Sequence, residues 1–68
     1  MGMIVIVNGK PIEVPPGHTV ADLIADMGRA GQACAAEVNH EVVPRRQHDQ
    51  RVLREGDTVE LFTLVGGG

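Results

Sequence analysis

The stretch "TVADLIADMG", residues 19–28, decides how this chain folds. Val20, Leu23, Ile24 and Met27 recur at i, i+3, i+4 and i+7, which puts these apolar side chains on one face of a helix. Thr19 and Asp22 stand at capping-box spacing, with Asp in place of the usual Glu. Gly28 follows where a helix end favours a residue that tolerates positive φ. The pattern predicts a main helix over Thr19–Met27, packed by that face onto a sheet.

On its N-terminal side, "MIVIVNGKPIEV" (residues 3–14) reads as a hairpin. Met3–Val7 is short and rich in β-branched residues, which favours strand over helix. "NG" follows, and both residues tolerate the positive φ of a tight hairpin turn. "PIEV" then alternates, with Ile12 and Val14 inward and Glu13 outward. Pro15, Pro16 and Gly17 stop it, because proline cannot donate to a sheet ladder. On the C-terminal side, a loop through Gly31 leads to "CAAEV" as a third strand, "NH" as its turn and "EVV" as a short return strand ended by Pro44. "RRQHDQRVL" is polar and weakly helical, an irregular turn with one buried leucine, Leu53. "EGD" is a tight turn, and "TVELFTLV" is the last and longest strand.

Strands on both sides of one helix suggest a single mixed sheet wrapped on it. The first and last strands are expected at its centre, parallel, with the helix and short strands as the crossover. The expectation is an α+β chain with the β-grasp layout of ubiquitin over residues 1–65, then a flexible C-terminal glycine tail, residues 66–68.

Sixty-eight residues make one domain, for which a stability of only about 3–5 kcal/mol is expected. Cys34 is the single cysteine, so no internal disulfide supports the fold. His18, His40 and His48 are scattered without zinc-ligand spacing, and read as surface residues with no partner for general-base work. No cofactor or metal is expected on this chain. A net charge of −3 argues against nucleic-acid binding. No apolar run is long enough to span a membrane. "MIVIV" lacks the basic lead and cleavage site of a signal peptide. A free monomer in a reducing, cytoplasmic setting is the expectation.

"NG", "TVADLI", "EVN", "VVPR", "EGDTVELF" and the terminal "GG", taken together, resemble the sulfur carrier family of thiamin biosynthesis, whose members are ubiquitin-like. The resemblance covers nearly the whole chain. It implies a protein co-substrate rather than an enzyme. A ubiquitin-activating-like adenylyltransferase would use ATP to adenylate the carboxylate of Gly68. Sulfur from a sulfur donor protein would displace AMP and leave a thiocarboxylate. That group would give its sulfur to the thiazole ring on a thiazole synthase. One departure is the third glycine, Gly66, where another small residue often precedes the final pair. Gly66 and Gly67 suit the chemistry because a residue without Cβ can thread a narrow channel.

Strand parity marks a second candidate site. If Met3, Val5 and Val7 face the helix, Ile4 and Ile6 face away. If Val59, Leu61 and Thr63 face in, Phe62 and Leu64 face out. Ile4, Ile6, Phe62 and Leu64 would then form an exposed apolar patch of the kind that docks partners. Cys34 shares parity with Ala36 and Val38, and reads as a small buried residue rather than a sulfur relay. Arg45 and Arg46 read as a solvated turn rather than a site for phosphate or an acidic partner. Other readings keep the fold: the small subunit of molybdopterin synthase, another sulfur carrier, a ubiquitin-like modifier or a non-catalytic β-grasp binding module. Lys10, the only lysine, leaves a modifier little room for self-chains.

Overall fold

The computed structural model describes residues 2–28 and 33–63. Strands β1 (Met3–Val7) and β2 (Lys10–Val14) form the N-terminal hairpin, and helix α1 spans Val20–Asp26. Strands β3 (Cys34–Val38) and β4 (Glu41–Val43), a short 3-10 turn (Arg45–Gln47) and strand β5 (Thr58–Thr63) follow. The sheet order is β2-β1-β5-β3-β4, with β1 and β5 parallel and every other pair antiparallel. This is the β-grasp arrangement expected from the element order. Pro11 is tolerated because β2 is an edge strand.

Both hairpins turn as their sequences require. Asn8 (φ 49°) and Gly9 (φ 85°) carry the first, Asn39 (φ 53°) and His40 (φ 69°) the second. Each asparagine then does more. The Asn8 side chain accepts from the Leu61 amide at 2.9 Å, extending β1's grip on β5 past the end of the backbone ladder. Asn39 Oδ1 accepts from the Thr58 amide at 3.0 Å and fixes the start of β5.

The helix is short but closed at both ends. Thr19 caps it, with its hydroxyl accepting from the Asp22 amide and Asp22 accepting from the Thr19 amide, both at 3.1 Å. The first two helical amides, of Val20 and Ala21, donate to the carbonyls of Arg51 and His48 at 3.0 and 2.9 Å. The loop after β4 thus satisfies donors that a helix start leaves open. At the other end Gly28 (φ 73°) donates to the Ala25 carbonyl. Val20, Leu23 and Ile24 are buried against Val5, Val7, Ala36, Val38, Val59 and Leu61, and Leu53 closes the core from the loop.

Two expectations are corrected. Met27 is the C-cap and is 37% exposed, because the helix ends at Asp26 before bringing it over the sheet. His48 is buried rather than a surface residue: its carbonyl serves the helix start, and its ring is held inward by a 3.0 Å hydrogen bond between Nε2 and the Val43 carbonyl.

Candidate functional site

The sheet face turned away from α1 carries the candidate docking residues. Along β1, Val5 and Val7 are buried, while Ile4 is exposed and Ile6 half-buried. Along β5, Val59 and Leu61 are buried and Phe62 is 48% exposed. The parity deduced from sequence therefore holds for these residues. Leu64, Gly66, Gly67 and Gly68 lie outside the described residues.

Register separates the patch into two ends. Ile6 stands beside Thr58 on β5, so Phe62, four residues further on, is about 13 Å away along the sheet at ~3.3 Å per residue. Ile4 is two residues further in the other direction. Ile6 instead faces Pro11 across the edge hairpin, and Ile4 faces Glu13. Phe62 stands opposite Ala35. One outward row before it come Glu60, Glu37 and, on β4, Val42, which is 70% exposed. Sequence reasoning missed Val42. "EVV" gives two adjacent valines, and only register shows which of them points out.

Glu37 and Glu60 of that row, with His40 of the β3–β4 turn, form the donor group that, among the described residues, could hold a metal ion, with ligand atoms within 4.8 Å of one another. Spacing along the chain conceals it, because Glu37 and Glu60 meet only through strand pairing. His18, read from sequence as partnerless, also has an acidic neighbour. Its Nε2 lies 2.6 Å from Asp26 Oδ2, and its Nδ1 lies 3.9 Å from Asp22 Oδ2. Both aspartates lie on α1 with exposed side chains.

Asp22 is the group with a resolved shift in acidity. The hydrogen bond from the Thr19 amide, with the Thr19 hydroxyl contributing next, holds its carboxyl below the ordinary value of 3.8. Cys34 is buried, as its parity required. Arg45 and Arg46 are exposed in the 3-10 turn. Cys34 pairs with Thr63, so β3 begins where β5 approaches the C-terminal glycines.

The chain matches the ThiS family over residues 5–68. The sulfur carrier protein ThiS of Escherichia coli is 29% identical over 66 residues, which cover 97% of this chain and 100% of that protein. A thiazole synthase of Paramagnetospirillum magneticum is 30% identical over 66 residues, 97% of this chain but 20% of that protein. The crystal structure of the thiamine biosynthesis protein ThiS from Geobacter metallireducens matches with a TM-score of 0.78 at 34% identity, covering 97% of this chain and 100% of that one. The chain belongs to the ThiS family, the sulfur carriers of thiamin biosynthesis.

Proposed function

We propose that the Gly68 carboxylate is the group that carries the sulfur. The observation that carries this reading is the family match, which runs through residue 68 and so includes the glycines. A carboxylate is a poor acyl donor until it becomes a mixed anhydride. An ATP-dependent adenylyltransferase supplies that activation: the Gly68 oxygen attacks the α-phosphate of ATP and pyrophosphate leaves. A sulfur nucleophile from a donor protein then attacks the acyl carbon and AMP departs. When that nucleophile is a persulfide, the product is an acyl disulfide, and a second thiol attacks the donor cysteine's sulfur, forms a disulfide with it and releases the thiocarboxylate. The thiazole ring, built on a thiazole synthase partner, is the acceptor, and the partnership is supported by the thiazole synthase that contains a segment similar to this chain. ATP is bound by the activating partner, and the setting is the cytoplasm.

Three glycines bring little contact area and cost entropy to order, so affinity must come from the folded body. Phe62 is the natural anchor. It is half-exposed, the only aromatic residue in the sequence and, among the described residues, the outward apolar side chain nearest the glycines in sequence. Ala35 stands beside it and Val42 lies one outward row back on β4, while Ile4 and Ile6 offer a second contact further along the face. The intact mass of the protein isolated from its own host tests the chemistry. A species heavier by the exchange of one oxygen for one sulfur, located to the C-terminal peptide, is the expected result. Sulfur found on Cys34 instead would overturn it.

A further inference from the structure

A cavity of about 350 Å³ opens between α1, the start of β3 and the 3-10 turn, lined by Ala21, Ile24, Cys34, Arg45, Arg46, His48 and Asp49. Its size is that of a small-molecule site. Neither arginine makes an ion pair or side-chain hydrogen bond among the described residues. Asp49 also lines the cavity but pairs with neither of them.

His48 gives the cavity a fixed polar atom. Its Nε2 lies 3.0 Å from the Val43 carbonyl oxygen, which can only accept, so Nε2 carries the proton. In the neutral ring Nδ1 is therefore an acceptor, held in place because His48 is only 7% exposed. Nδ1 has no partner among the described residues, yet no buried side-chain nitrogen or oxygen there is left unsatisfied. His48 lines the cavity, and Nδ1 is the acceptor its ring has to offer a ligand there. Ala21 and Ile24 supply an apolar wall.

We propose that this cavity binds a small organic oxyanion, a phosphate monoester or a hydroxycarboxylate. Arg45 and Arg46 grip the charged oxygens, and guanidinium forks suit both groups. A hydroxyl on the ligand donates to His48 Nδ1, and its carbon portion rests on Ile24 and Ala21. The site is separate from the outer sheet face and does not depend on the sulfur chemistry. It sits at the sheet end where Cys34 meets Thr63, beside the strand that leads to the glycines.

Titration of the full chain, labelled with 15N, tests this by the side-chain resonances of arginine and histidine. The probes are AMP, malate and inorganic phosphate. The expected result is saturable shifts at Arg45, Arg46 and His48 with AMP or malate, the tighter of the two identifying the source of the oxyanion. R45Q/R46Q should weaken that binding by roughly tenfold or more, with R45K/R46K retaining part of it. Arg51 and Arg54, which line a different cavity with Asp57, should stay unmoved. Non-saturating shifts spread equally over all these arginines, or equal binding by R45Q/R46Q with its thermal melt unchanged, would overturn the proposal.

Discussion

Leu23 and Phe62 are opposite cases of an apolar side chain in a small domain. Leu23 is 0% exposed, at the contact between α1 and the sheet. Leu23→Ala removes its methyl groups and leaves a cavity, so it should cost about 2–5 kcal/mol, most of what a chain this size has. Chemical denaturation checks this, and a loss below ~1 kcal/mol would show that Leu23 is not central to the core. Phe62→Glu should cost the free fold much less, because the ring is 48% exposed. The same change should weaken binding to the activating partner by roughly 2 kcal/mol, as loss of an aromatic anchor does. Calorimetry of the complex and a melt of the free variant separate the effects; normal binding by a protein that unfolds would place Phe62 in the core. Much of this contrast was legible in sequence, because period-two alternation sorts Val5 and Val7 from Ile4 and Ile6. His48 was not legible. Nothing along the chain shows that Ala21 would take its carbonyl while Val43 takes its ring proton.

At the scale of elements, the start of α1 shows how a seven-residue helix is held. Two of its amides depend on loop carbonyls and a third on Thr19. Thr19→Ala should therefore cost about 1 kcal/mol, the usual value of a lost cap. Asp22 adds a pH dependence whose sign is fixed by its lowered pKa. The unfolded carboxyl titrates near 3.8 and the folded one lower, so its stabilisation is complete above 3.8 and lost as pH falls through the folded value. Asp22→Asn should melt below the parent at neutral pH, and the gap should close as pH drops. A gap that does not vary with pH would contradict the capping account. The capping box was readable from "TVAD", as were the hairpin from "NG" and the parallel central pair from element order. Register was not. The split of the outward patch, and the meeting of Glu37 with Glu60, follow from pairings between strands distant in sequence. Alternation gives the face of each residue but not its neighbours across the sheet.

For the whole molecule, the proposed function gives docking to the folded body and reaction to the glycine end. Side chains that pack the core lie between Val5 and Leu61, and glycines 66–68 contribute none. Deleting Gly68, or adding one residue after it, should leave the melting temperature nearly unchanged while abolishing activation. Loss of both together would mean that the end of the chain is part of the fold. The fold was legible because propensity, turn chemistry and helix capping all point to one layout, while the family rested on the resemblance carried by "EVN", "VVPR", "EGDTVELF" and the terminal glycines. The reacting group proposed for this chain came from the family resemblance, since glycines offer no side chain whose position could reveal a role. The most direct test of the central claim is intact-protein mass spectrometry after incubation with ATP, the adenylyltransferase and a sulfur source. The parent chain should gain one sulfur in place of one oxygen at its C-terminal residue, and the chain lacking Gly68 should gain none. A shortened chain that is charged as well as the parent would show that the Gly68 carboxylate is not the carrier.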